Sequence, residues 1–157
     1  MADIKTKYAS AANITITLAS LANDAKRQST KISNTANLYL DALVQLKVKT
    51  GSSVSGDKAV YVYAYGTTES SMGYSGDASG TDGAYNGAID NTKLIGVIST
   101  PAAGTAYVSD VMSIANAFGG KLPSEWGIII QNKTGAALDG TESNYEKKYA
   151  GVLAQTV

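Results

Sequence analysis

The strongest pattern in this chain is strict alternation of apolar and polar positions. In residues 38–49, LYLDALVQLKVK, one side collects Leu38, Leu40, Ala42, Val44, Leu46 and Val48, and the other collects Tyr39, Asp41, Leu43, Gln45, Lys47 and Lys49. A period of two over twelve residues matches a pleated strand and not a helical stripe. The spacing predicts a strand with its even positions in a core and its odd positions turned outward. Residues 59–65, AVYVYAY, repeat the arrangement, with Val60, Val62 and Ala64 inward and Tyr61, Tyr63 and Tyr65 outward. Ile14, Ile16 and Leu18 predict a shorter strand, and the polar stretch Lys26–Ile32 an edge strand or extended connection.

Further along, KLIGVIST (93–100) predicts a short strand of the buried type closed by Pro101, and TAYVSDVMSI (105–114) predicts another strand. A turn at Pro123 leads through Trp126, read as a core plug or corner anchor, into a strand over 127–132 and a turn at Gly135. Residues 149–156, YAGVLAQT, predict a closing strand, and Ser20–Ala25 a helical turn. About eight strands at short, turn-punctuated spacing predict an all-β fold, an antiparallel β-sandwich. No linker or internal repeat divides the chain, so a single domain is expected over 13–157, preceded by an N-terminal arm over 1–12. Between Gly66 and Asn91 the chain is dense in Gly, Ser, Thr, Asp and Asn without periodicity, which predicts one long surface loop.

Composition narrows the chemistry. The 157 residues include no Cys and no His. That removes disulfides, thiolate metal sites, Cys nucleophiles and the Ser/His/Asp triad together. Thirteen basic residues balance thirteen acidic ones, so neither nucleic acid nor an anionic membrane surface is an expected partner. The start, MADIKTKY, has no apolar segment of the signal-peptide type, and the longest apolar run, Ile128–Ile130, is far short of the roughly 20 residues of a membrane span. Synthesis in a cytoplasm is expected. Tyrosine supplies 10 of the 12 aromatic residues, a content suited to half-wet surfaces.

No residue set stands out as catalytic. Gly119-Gly120-Lys121 is followed by Leu122 and lacks the phosphate-loop spacing. Asp77, Asp82 and Asp90 share the long loop and could offer oxygen ligands to calcium, but Asp among Gly and Ser reads first as solvated turns. Glu125 with Glu142 or Glu146 could in principle form a carboxylate pair, although exposed acids near turns read first as surface charges. Two sequons, at Asn13 and Asn132, carry no meaning without a secretion signal. No cofactor, metal or enzymatic activity is expected. The outward Tyr61, Tyr63 and Tyr65, with Tyr39 and Leu43 on the neighbouring strand and Ile4 and Tyr8 on the arm, are the candidate partner-interface residues. The competing reading is that another part of the same domain covers the tyrosine face.

The runs NLYLDALVQLKVKTG (37–51), VYVYAYGT (60–67), LIGVI (94–98), AFGGKLPSEWGIIIQNKTGAAL (117–138) and YAGVLAQTV (149–157) resemble small virion structural proteins of tailed bacteriophages, the capsid decoration or cement proteins. The resemblance implies a jelly-roll-like sandwich that sits on the capsid surface, binds the major capsid protein and associates with its own copies as a dimer or trimer. It carries no catalytic motif. A tail or tail-fibre component, or a module in which exposed Tyr rings stack on a glycan, is the alternative.

Overall fold

A computed structural model describes residues 3–156. Among them, twelve strands run in chain order as β1 (Ile4–Tyr8), β2 (Ala12–Asn13), β3 (Lys26–Gln28), β4 (Ile32–Ser33), β5 (Asp41–Lys49), β6 (Ala59–Thr67), β7 (Gly83–Ala84), β8 (Lys93–Ser99), β9 (Ala106–Val108), β10 (Met112–Ser113), β11 (Glu125–Lys133) and β12 (Glu146–Thr156). One helical turn, α1 (Ile114–Ala117), follows β10, with Ser113 capping it by accepting the Asn116 N–H. The strands form two antiparallel sheets, β1-β12-β5-β10 with β2 on β12 and β9 on β5, and β7-β3-β11-β6-β8 with β4 on β11. The all-β antiparallel sandwich predicted from alternation is the observed architecture.

The predicted count of eight also has a physical basis. Three pairs of consecutive short strands, β1/β2, β3/β4 and β9/β10, each share one partner strand, and β7 belongs to the long loop. Merged in this way, the eight strand positions lie in the order 1-8-3-6 facing 2-7-4-5. This is the double Greek key of a jelly roll.

The core lies between the sheets and is built from the inward positions of β5, β6 and β11. Val44, Val48, Val60, Val62, Ile128 and Ile130 are fully buried. Each such side chain contributes roughly 1.5–3 kcal/mol relative to exposure. Trp126 is buried among them with its ring edge-on to Tyr149, 5.2 Å between centroids. Asn132 is buried too, its amide donating to the carbonyls of Leu21 (2.8 Å) and Ala136 (2.7 Å) and its Oδ1 accepting the Thr134 N–H. It ties the β11 end to two loops, and its sequon is internal structure.

Several expectations need correction. Alternation puts Leu38 and Leu40 on the core face, but both are exposed, because Leu38 takes a left-handed φ of 53° and regular pairing begins only at Asp41. Ile14, Ile16 and Leu18 are buried alternately as expected, yet no strand ladder forms there. That segment crosses from one sheet to the other, with Ile14 N–H bonded to Lys147 and the Thr15 carbonyl accepting from Thr30. The predicted strand over 105–114 is broken into β9, β10 and α1. Ser20–Ala25 forms turns and no helix. Within the arm expected over 1–12, Ile4–Tyr8 is an integral strand paired with β12, while Met1 and Ala2 lie outside the described residues.

The largest correction concerns residues 66–91. It is a long loop, as expected, and residues 68–73 are exposed, but its remainder is not a free excursion into solvent. It folds back over the outer face of the second sheet through three single 3-10 turns and β7, and it buries Ala78 and Tyr85 against Tyr65 and Ile129. Tyr74, Tyr63 and Ile89 pack around this second, smaller core. Gly76, at φ 69°, permits the close approach, since a Cβ there would meet the Thr92 methyl, the Tyr85 hydroxyl and the Ala88 carbonyl.

Candidate partner interface

The seven candidate residues do not share one surface. Tyr61, Tyr63 and Tyr65 lie on the outer face of β6, as alternation requires, but the folded-back segment shields them unequally. Tyr65 is completely buried, its hydroxyl donating to the Ser29 carbonyl at 2.7 Å and its ring edge-on to Tyr74 at 5.6 Å. It therefore offers nothing to a partner. Burial pushes its phenol well above the ordinary range, against the opposing Ser29 hydrogen bond. Tyr63 is half-buried at the margin of the cover, and Tyr61 is half-buried beyond it, opposite Val97 of β8 and Gln131 of β11.

Leu43, Ile4 and Tyr8 are on the other sheet, and here the structure joins residues that sequence reasoning kept apart. β12 runs between β5 and β1, pairing Ala150 with Leu43 and Val152 with both Asp41 and Tyr8. The inward positions of β5 are Ala42, Val44, Leu46 and Val48, so Leu43, Ala150, Val152, Tyr8, Thr6 and Ile4 share the outward face. Tyr8 is 62% and Ile4 74% exposed. Beyond Val152, β12 pairs with β1 alone, and this two-stranded ribbon carries Ile4, Thr6 and Ala154 outward without a charge on that side. Tyr39 belongs to neither face. Its ring lies over Gly151 on the inward side of the first sheet, where a Cβ would collide with it, and Asn34 holds its backbone through both amide atoms.

Polar contacts clamp the cover over Tyr65. Glu125, at the start of β11, accepts from Lys31 at 2.8 Å and from the Tyr74 hydroxyl, and Lys31 lies 5.8 Å from the Tyr74 ring centre. Asp82 accepts from Arg27 (2.7 Å) and from the Thr17 hydroxyl (2.6 Å), and Gln28 exchanges hydrogen bonds with Ser79. The Lys31 and Tyr74 hydrogen bonds hold Glu125 below the ordinary carboxylate range. Desolvation pushes Asp82 up, but the bonds from Arg27 and Thr17 outweigh it and the net direction is also down. A carboxylate depressed in the folded state adds stability above its unfolded pKa and loses it as pH falls through the folded value. Melting temperature is therefore expected to fall as pH drops below about 4, the ordinary Asp and Glu range. Glu125→Gln should melt lower than wild type at pH 7, with the two curves converging in acid. Parallel curves from pH 7 to 3 would contradict this account.

The acid groups considered for chemistry do not converge. Glu125 opens β11, whereas Glu142 and Glu146 stand at the start of β12, near the far end of β11 and at the opposite end of the sandwich. A nine-residue strand spans about 30 Å. Glu142 instead accepts the N–H groups of Leu18 and Ala19, both at 2.8 Å, and pairs with Lys147. Of the three loop aspartates, Asp82 is committed to Arg27 and Thr17, and among the described residues no three acidic side chains gather as a metal site. One cleft of about 580 Å³ lies between Thr67–Thr68 and Phe118–Ser124 and is lined by Phe118, Leu122 and Pro123 with Lys121 at its rim. It contains no carboxylate.

Sequence reasoning missed Leu94 and Val97 of β8, Val108 of β9 and Val111 just before β10, all more than half exposed. The apolar run 94–98 reads as a buried strand, and only its position at a sheet edge reveals otherwise. Compared with models of protein families, with curated proteins and with solved structures, the chain matches none.

Proposed function

We propose that this chain is a non-enzymatic virion structural protein that binds the outside of a tailed-phage head and cements neighbouring major capsid subunits. The observation that carries the reading is the outward face of the first sheet. A rigid jelly roll presents Tyr8, Leu43, Ala150 and Val152 on one patch, with Ile4 further along β1, Asp41 beside Val152 and the Lys47–Glu146 ion pair toward the opposite end. An apolar centre with a polar margin is the anatomy of a protein–protein contact. Burying that face would contribute roughly 25 cal/mol per Å² before the costs of association. Repetition across a lattice turns modest single contacts into stable decoration. The fold alone does not select this role, since jelly rolls serve many functions.

The test is cosedimentation of purified protein with undecorated heads and, separately, with tails. Wild type is expected to bind heads, and the exposed-face pair Ile4→Asp with Tyr8→Asp to lose at least tenfold in affinity while melting normally. Binding to tails alone, or head binding indifferent to that pair, would reject the proposal. A glycan-array signal abolished by Tyr61→Ala would move the function to carbohydrate recognition.

A further inference from the structure

Every open β-sandwich has to manage its sheet edges, because unpaired backbone groups there invite another strand. In this molecule most edges are protected. β7, β2 and β10 are two residues long and β9 three, too short to template pairing. β1 is longer but carries Lys5 and Lys7, and a two-fold pairing centred on Thr6 would set Lys5 of one copy against Lys7 of the other. β8 is the exception. It is seven residues long, uncharged from Leu94 to Ser99, and it pairs with β6 on one side only.

The direction of its free backbone groups follows from one hydrogen bond. Thr100 N–H donates to the Lys58 carbonyl at 2.7 Å, which makes Lys58 and Thr100 a hydrogen-bonded pair. Antiparallel pairs alternate. Val60–Ile98 and Val62–Gly96 are therefore bonded pairs, while Ala59–Ser99 and Tyr61–Val97 are not. The N–H and C=O of Val97 and Ser99 point away from β6, toward the open edge, and among the described residues neither backbone is engaged in another hydrogen bond. Val97 is 52% exposed.

We propose that β8 is a self-association edge, and that two copies of this chain pair through it antiparallel about a two-fold axis at Val97, joining their second sheets into one continuous sheet. In that register Val97 faces its own mate as a bonded pair and Ser99 faces Ile95. Gly96 faces Ile98 on the inward side, so both copies keep their apolar positions on the core face. The β-bulge at Ile95 ends the regular ladder there, which confines the shared segment to Ile95–Ser99. Lys93 falls opposite Pro101, so no like charges meet. The contact is isologous and closes at two copies. It uses the opposite sheet from the proposed capsid-binding face and does not depend on that role.

The chain has no cysteine, which makes single substitutions clean reporters. Wild-type protein at about 0.1 mM is expected to scatter light as a particle of twice the 16.2 kDa chain mass, Val97→Lys as a monomer with unchanged melting, and Ile4→Asp as a dimer. Under mild oxidation Val97→Cys should give a covalent dimer, since bonded pairs place Cα atoms about 5.5 Å apart, within disulfide reach. Ser99→Cys should not, because its mate would lie roughly 14 Å away, four residues along at 3.4 Å per residue. A monomeric wild type, a dimeric Val97→Lys, or crosslinking of Ser99→Cys as fast as Val97→Cys would overturn the proposal.

Discussion

Tyr65→Ala is expected to cost about 3–5 kcal/mol, the range for truncating a large buried aromatic, and to free the segment 66–91 from the sheet. Tyr65 is the floor of the second core. Its ring supports Tyr74, Ala78 and Tyr85 from below, and its hydroxyl satisfies the Ser29 carbonyl, which would be left buried without that partner. Tyr65→Phe removes the hydroxyl alone and should cost about 1–2 kcal/mol. Tyr61→Ala, on the same face two registers away but outside the cover, should stay within about 1 kcal/mol. Urea unfolding ranks the three. Limited proteolysis then locates the effect, with new cuts between residues 68 and 92 in Tyr65→Ala and none in Tyr61→Ala. A Tyr65→Ala protein as stable and protease-resistant as wild type would mean that the segment does not depend on this core.

Trp126→Ala is the second large effect, also about 3–5 kcal/mol, from lost burial and the cavity left behind. The indole is 1% exposed and stands edge-on to Tyr149 across the two sheets, so its removal empties space that neither sheet can close. Trp126→Phe retains an aromatic contact and should recover more than half of the loss. Chemical denaturation followed by circular dichroism measures both, since the only tryptophan is the residue replaced. A loss below about 1 kcal/mol in Trp126→Ala would place the residue among tolerant surface sites.

These two residues also mark where sequence reading succeeds and where it stops. Trp126 sits at the head of an apolar strand, and the expectation of a core plug follows from size and setting. Tyr65 has the same periodicity as Tyr61 and Tyr63, and period two assigns all three to one face correctly. What covers that face is a separate matter. The cover is assembled from Tyr74, Ala78, Tyr85 and Ile89, spaced without period among glycines and serines, and held by contacts to Lys31, Arg27 and Gln28 some fifty residues earlier in the chain. Such a segment has no local signal, because its order comes from long-range side-chain pairing and not from a repeating backbone geometry.

The interface candidates divide for the same reason. Alternation places Leu43 outward, and exposure of Ile4 and Tyr8 is compatible with a polar arm, but only strand pairing through β12 puts them on one face. Conversely, Leu38 and Leu40 continue the alternation of β5 in the sequence, while the left-handed turn at Leu38 takes them out of it.

Local spacing alone determined that this chain is an antiparallel β-sandwich with β5 and β6 as extended strands, because a period of two in apolar residues puts one face of each in the core. Tertiary structure decided the jelly-roll order, the burial of Tyr65, the joining of Ile4 and Tyr8 to Leu43, and the open edge at β8. Each of these depends on which strands become neighbours, a property of distant segments meeting and not of any window along the chain.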